Sequence, residues 1–307
     1  MQETSRGDDE SSCGVRVAFL GNSILYFNDC PRMFKNLAAA GQRVKHQDSC
    51  LRGGTNLAQL WEQGNGMRAH GFKTDAAKTG EKDDNGVDHY DIGMPTVGQL
   101  LRPVARDETW DFVVINDHTQ GPCRNESRRM TQEILVEKYL PLIRQNNAVP
   151  IIIETAAYRY EKIVNSEDLG TTHQFQRLVM DGVNSYVSAL EAASSACKPR
   201  VAPVGSAYLL LHDKEFSLWE DLFDSRDFFH PSPIGTFLQA CVLHCTMFGC
   251  PPAIPRTEDE ITSLWRDARV MHTYKGEDPR RLPTVEEAEV LVSTAARVCG
   301  LDATSKI

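Results

Sequence analysis

The sequence predicts an α/β protein built on a parallel sheet with helices on both faces. Three observations point there. Short apolar runs rich in β-branched residues recur along the chain, at 15–20, 110–115 and 149–155. Longer segments with apolar residues at helical spacing lie between and after them. That alternation is the pattern of βαβ units. Finally, the first run stops at Gly21-Asn22-Ser23, and apolar residues resume at helical spacing toward Phe34 and Leu37. A strand, a tight turn and a helix lift one side chain above the carboxyl edge of a parallel sheet, where such sheets place ligands.

The elements follow in order. Residues 1–13 read as a polar, disordered tail, and 15–20 as a buried first strand. Residues 31–42 form a helix ending at Gly41, and 43–49 a second strand. The turn Cys50-Leu51-Arg52-Gly53-Gly54-Thr55-Asn56 comes next, and Leu57, Leu60 and Trp61 mark the apolar face of a short helix. Residues 63–95 are rich in Gly, Asp, Lys and Asn without periodicity. A loop of that length inside a domain is usually functional or disordered, and this one reads as a pocket rim. Val97, Leu100, Leu101 and Val104 predict a helix over 96–108. The third strand, 110–115, runs into the polar cluster Asn116-Asp117-His118-Thr119-Gln120 and the breaker Gly121-Pro122. Then come a helix at 130–147, a strand at 149–155, a helix at 173–196, a short strand at 200–204, a short helix at 206–212 and an apolar helix at 233–248. Two further helices, 257–271 and 284–299, flank a Gly- and Pro-containing link. The organisation is a tail (1–13), an α/β domain (14–254) and a helical C-terminal appendage (255–307) packed on it.

Composition narrows the function. The chain has 307 residues, 41% hydrophobic and 24% charged, with a net charge of -9. An acidic balance argues against nonspecific nucleic-acid binding, which needs a basic surface. No apolar stretch is long enough to span a bilayer. The polar, acidic N-terminus is not a secretory leader, although a leader already removed would leave the same sequence. Nine cysteines, an odd number at irregular spacing, point to reduced thiols and an intracellular, cytoplasmic setting.

Two stretches carry chemistry. Ser23 is a hydroxyl on the turn after the first strand, and it needs a base and a group to orient that base. Asp227-Phe228-Phe229-His230-Pro231 supplies both. Pro231 biases His230 toward an extended loop conformation. A carboxylate three residues earlier can bind one ring nitrogen and leave the other facing the serine. Each stretch has a plainer reading, since Gly, Asn and Ser are common turn residues and Asp-x-x-His is a common string. Their pairing, in this order, is what singles them out.

Together these blocks resemble the SGNH (GDSL-type) hydrolases. Gly21-Asn22-Ser23-Ile24-Leu25 is similar to that family's Gly-Asp-Ser-Leu block, and Asp227-Phe228-Phe229-His230-Pro231 to its closing Asp-x-x-His-Pro block. The resemblance runs from about residue 15 to 250. It implies a three-layer α/β/α sandwich with a flavodoxin-like sheet, and hydrolysis of carboxylic esters with Ser23 as nucleophile, His230 as base and Asp227 as orienting acid. The substrate would be an acetyl or short-acyl ester, of a carbohydrate or a lipid, and no cofactor or metal is implied. The family's oxyanion hole combines the nucleophile's amide (here Ser23), a glycine amide after the second strand and an asparagine in a Gly-x-Asn-Asp block. Gly54 fits the glycine, with Gly53 its near rival. The third block is altered: register along the strand points to Gln120, whereas a literal Asn-Asp points to Asn116. Either amide can donate to an oxyanion.

Other candidates weigh less. Cys241, His244 and Cys245 share a helical turn but sit among apolar residues, which favours a thiol core over a metal site. His118 either faces the pocket or ends its strand, and His173 and His212 read as surface or packing residues. Arg124, Arg128 and Arg129 could meet an acidic substrate group, but a solvated helix face is the default reading of such a run. Two rival functions stay open. One is a catalytically silent relative of the hydrolases. The other is a flavodoxin-like module whose first turn cradles a phosphate.

Overall fold

In the computed structural model, the residues described are 14–39, 44–66, 96–103, 109–160, 166–266, 268 and 281–301. The 1–13 tail, most of the 63–95 rim loop and the link before residue 281 lie outside them. Five strands, β1 (Val15–Gly21), β2 (Val44–Leu51), β3 (Phe112–Ile115), β4 (Val149–Ile153) and β5 (Arg200–Ala202), form one parallel sheet in the order β2-β1-β3-β4-β5. The chain moves from β1 outward to β2 and then crosses back to β3. The order reverses at β1, and Ser23 follows β1 directly.

Strand side chains alternate between two cores, as period-2 geometry demands. Val17, Phe19, Val114, Ile151 and Ile153 pack with helices α2 (Cys30–Ala38), α8 (Val204–Lys214), α10 (Pro233–Phe248) and α12 (Val285–Val298). Ala18, Leu20, Val113, Ile115 and Ile152 face the other way. They meet α3 (Leu57–Gln63), α4 (Val97–Leu101), the long helical unit of α5 (Asn125–Ile134) and α6 (Leu140–Gln145), and α7 (Thr172–Ala193). Layers of helix, sheet and helix result. The C-terminal helix α12 joins the first of these cores through Ala288, Leu291, Val292 and Ala295.

Several boundaries differ from the sequence reading for identifiable reasons. The helix expected over 96–108 stops at Leu101, because Arg102 precedes Pro103 and takes an extended conformation (φ -73°, ψ 121°). The helix expected from 130 begins at Asn125 and continues to Gln145. It comprises α5 (Asn125–Ile134), a π segment (Leu135–Tyr139) and α6 (Leu140–Gln145). The π segment directly precedes Pro141, which has no N–H to give to the previous turn, and wider turns of this kind absorb such a gap. α8 spans 204–214 rather than 206–212. A helix the sequence reading missed, α9 (Phe216–Asp221), follows it. α11 covers Glu258–Leu264. Strands β4 and β5 end at Ile153 and Ala202, two residues earlier than expected.

Candidate active site

The loops after β1, β2, β3 and β4 share one edge of the sheet, since Gly21 is in register with Leu51, Leu20 with Ile115, and Ile115 with Ile152. Gly21 allows the first close approach. A Cβ there would stand 2.8 Å from Asn116 Cβ and 2.9 Å from the Asn116 carbonyl oxygen. Ser23 then opens the short helix α1 (Ser23–Tyr26). Buried Asn22 caps it: its Oδ1 accepts from the Ile24 amide at 3.1 Å, while its Nδ2 donates to the Thr55 carbonyl at 3.1 Å. One side chain thus fixes the serine turn and ties it to the Gly53-Gly54 turn. Gly54 has φ +67°, a left-handed conformation that favours glycine, and open space where a side chain would be. Gly53 faces the Tyr26 hydroxyl, 2.5 Å from where its Cβ would be.

Asp227 and His230 sit on a closed loop between α9 and α10. Its ends are pinned by Ser232 N–H to the Leu222 carbonyl and Asp224 N–H to the His230 carbonyl, both at 2.8 Å. Phe228, at φ +63°, turns the chain so that the Asp227 carboxylate faces back across the loop. Oδ1 accepts from the amides of Phe229 (3.1 Å) and His230 (3.0 Å), and Oδ2 accepts from His230 Nδ1–H at 2.7 Å. Burial works against the charge of Asp227, but these hydrogen bonds prevail and hold its carboxyl below the usual range. In the neutral ring, Nδ1 as donor leaves the lone pair on Nε2. It is buried and has no hydrogen-bond partner among the described residues, and Ser23 Oγ is not bonded to it.

The serine turn and the histidine loop are joined by contacts that sequence reading did not find. Phe27, whose amide donates to the Ser23 carbonyl at 2.9 Å, stacks flat on the His230 ring, with centroids 4.1 Å apart and planes 4° apart. Buried Asn28 donates to the Pro231 carbonyl (2.7 Å) and to Thr236 Oγ1 (3.0 Å). From the loop after β4, Tyr158 packs on Phe229, Arg159 N–H donates to the Phe228 carbonyl at 3.0 Å, and the Arg159 guanidinium pairs with Glu220. These partners lie far apart in the chain and form no local string, so no spacing signal marks them.

The two amides of the third block have separate environments. Asn116 is wholly buried against Gly21, and its Nδ2 donates to the Asp117 carbonyl at 3.0 Å. Gln120 has its Oε1 gripped by Arg124, from Nη2 at 2.9 Å and Nε at 3.3 Å, which turns Nε2 toward the Tyr158 hydroxyl at 3.5 Å. Arg124 is itself held by both carboxylate oxygens of Asp168, at 2.6 and 2.9 Å. Arg124, partly exposed at the start of α5, is thus paired on two sides, and exposed Arg129 pairs with Glu133 as a solvated face would. His118 Nδ1 accepts from the Gln120 amide at 3.4 Å, and burial pushes its pKa down. Asp117, fully buried, accepts from Tyr186 Oη (2.9 Å), Thr131 Oγ1 (3.0 Å) and the Leu57 amide (3.3 Å), and burial raises its pKa. Cys241 and Cys245 lie in the core, and His244 Nδ1 is hydrogen-bonded to the Cys250 carbonyl instead of approaching them.

No protein-family model matches the chain, and no curated protein matches it. Solved structures do. A DUF4886 family protein from Bacteroides uniformis is 14% identical with a TM-score of 0.53, over 95% of this chain and 97% of its own. A protein from Slackia heliotrinireducens, provisionally described as an SGNH hydrolase, is 22% identical with a TM-score of 0.47, over 76% and 99%. An extracellular lipase from Streptomyces rimosus is 8% identical with a TM-score of 0.34, over 76% and 100%. The first of these likenesses spans nearly the whole of both chains and supports the α/β architecture. Among the described residues no helix is long and apolar enough to cross a membrane.

Proposed function

We propose that this protein is a serine hydrolase that cleaves carboxylic esters through an acyl-enzyme, with Ser23 as nucleophile, His230 as base and Asp227 as the group that orients the ring. The observation that carries this reading is the state of His230. One ring nitrogen is committed to Asp227. The other is buried without a partner, on a ring that Phe27 clamps against the serine turn. Leaving a buried acceptor unsatisfied costs about 1–3 kcal/mol, and a fold that keeps one calls for an explanation such as catalysis. The missing Ser23–His230 hydrogen bond is compatible, because catalytic hydrogen bonds are often long without substrate.

In the proposed reaction, His230 Nε2 takes the Ser23 proton as Oγ attacks the ester carbonyl. The tetrahedral oxyanion is met by the amides of Ser23 and Gly54 and by one side-chain amide. The environments favour Gln120 for that role over Asn116. Arg124 holds the Gln120 carbonyl end, and the NH2 end makes a long contact with the Tyr158 hydroxyl at 3.5 Å, whereas the Asn116 NH2 donates to the Asp117 carbonyl at 3.0 Å on a wholly buried side chain. Collapse breaks the ester C–O bond, and the alkoxide leaves with the proton from His230. Water, deprotonated by the same nitrogen, then attacks the acyl-serine; collapse breaks the acyl C–Oγ bond, His230 returns the proton to Ser23 Oγ, and the acid is released. These steps need no metal or organic cofactor, since Ser23, His230, Asp227 and water supply every bond and proton.

The test is a series of p-nitrophenyl esters from acetyl upward, with parent protein and Ser23→Ala side by side, and fluorophosphonate labelling of both. Turnover and labelling by the parent alone are expected. Equal hydrolysis by folded Ser23→Ala would overturn the assignment.

A further inference from the structure

A second cluster of ligating side chains lies apart from the Ser23, Asp227 and His230 set. His173 occupies the first turn of α7, and His212 and Asp213 the last turn of α8. His173 Nε2 stands 3.0 Å, and His212 Nδ1 2.9 Å, from one and the same oxygen, Asp213 Oδ1. The three ligating atoms lie within 4.8 Å of one another, the one group of this kind among the described residues. We propose that His173, His212 and Asp213 form a binding site for a divalent transition cation of the zinc class, which would clip the start of α7 to the end of α8.

The donor set selects the ion. Two imidazoles and one carboxylate suit Zn²⁺ and its neighbours, whereas Mg²⁺ and Ca²⁺ take shells of oxygen ligands. The spacing is also suitable. Ligands about 2.0–2.1 Å from a tetrahedral ion stand roughly 3.3 Å from one another. The carboxylate and imidazoles need to part by only a few tenths of an ångström, and the wider pair closes by rotation of half-exposed side chains. The His173 and Asp213 side chains are each half-exposed, so solvent reaches two of the three ligands.

The scaffold holds the ligands before any ion arrives. The His212 ring meets Trp219 edge-on at 4.6 Å and 89°, and Phe216 at 5.4 Å and 71°. His173 meets His212 edge-on at 5.0 Å. Packing thus fixes the His212 ring, while half-exposed His173 and Asp213 keep the rotation that closes them on an ion, and all three stand on helices, which keep their geometry better than loops. The placement also matters for the rest of the molecule. α8 leads through α9 into the loop that carries Asp227 and His230. His173 directly follows the turn whose Asp168 holds Arg124.

The experiment uses the full chain, stripped with chelator and titrated with Co²⁺ and then Zn²⁺. The readouts are the visible ligand-field absorption of tetrahedral cobalt, its loss on zinc competition, and the melting temperature. The parent should take up one equivalent of each ion and melt higher with zinc, since an ion that binds only the folded state stabilises it. His173→Gln and Asp213→Asn alter half-exposed side chains, so folding should survive. Each should weaken binding about tenfold or more and lose the zinc-dependent rise in melting temperature. His46→Gln, on β2, should bind as the parent does. Weak uptake without saturation in the parent, or equal binding by the parent and both variants, would overturn the site. Neither outcome bears on ester hydrolysis, which is tested without added metal.

Discussion

Asn22 shows how much one side chain decides at the residue scale. Its amide is acceptor to α1 and donor to the turn after β2. Asn22→Asp keeps the acceptor but sets a carboxylate oxygen against the Thr55 carbonyl. It should destabilise the protein by about 1–3 kcal/mol, read as a lowered denaturant midpoint. An unchanged midpoint would show that the two turns are joined by other means. In the proposed active site, Ser23→Ala and His230→Ala should each bring ester turnover near background, with Asp227→Asn less severe, because the members act as a unit. Gln120→Ala should lower turnover by about 10²–10³ with little change in KM. Arg124→Ala should move kcat in the same direction by releasing the Gln120 amide. Asn116→Ala should mainly cost stability, given its packing on Gly21. A larger kcat loss for Asn116→Ala than for Gln120→Ala would reassign the donor. The Asp227–His230 hydrogen bond was legible in the sequence because its partners are three residues apart with a proline after them. Phe27 over His230, and Asn28 against Pro231, join residues some two hundred positions apart. Aromatic and amide residues in a turn carry no mark of such partners.

At the scale of elements, the starts of α7 and α12 were read to within one residue, whereas the start of α5 at Asn125 was expected five residues later. Thr171 and Thr284 each accept from the residue three further on, Gln174 and Glu287, which return the bond in capping boxes. Such a start is encoded within four residues. Ends depended on events outside the periodic pattern, such as Pro103 truncating α4. The hub under the third block was also hidden, because nothing local says that Asp117 will gather donors from three separate helices. Leu57 opens α3, Thr131 lies on α5 and Tyr186 on α7. Burial raises the Asp117 pKa, so the folded state holds this proton more tightly than the unfolded chain does. Its contribution to stability is full below the ordinary carboxylate value of about 3.9 and is lost as pH rises through the higher folded value. Asp117→Asn removes that titration. Chemical unfolding from about pH 4 upward should therefore show parent stability falling relative to the variant, even though the variant gives up hydrogen bonds at every pH. Parallel stability curves would mean that the donors around Asp117 fully offset its burial.

For the whole molecule, the alternation of strands and helices predicted a parallel sheet, but not which strand lies beside which. The β2-β1-β3-β4-β5 order came with the family resemblance, since strand neighbours are chosen by side chains that meet only after crossover. The C-terminal helices were harder still. Their amphipathic pattern was plain, yet the face they cover was not. In the structure α12 lies along α10 and α8, and wholly buried Leu291 shares a core with Val17 and Phe19 of β1. Its side chain is thus enclosed by elements on both sides of the 254/255 boundary. Leu291→Ala should leave a cavity there and cost about 2–5 kcal/mol. If residues 255–307 fold with the α/β domain as one unit, that loss should appear in a single cooperative transition, with fluorescence and circular dichroism coinciding. The same variant should keep its per-molecule ester turnover below that transition, because Leu291 is not among the side chains that hold Asp227 and His230 in place. A separate early transition, with the rest of the protein melting as the parent does, would instead make the C-terminal segment an independently unfolding attachment.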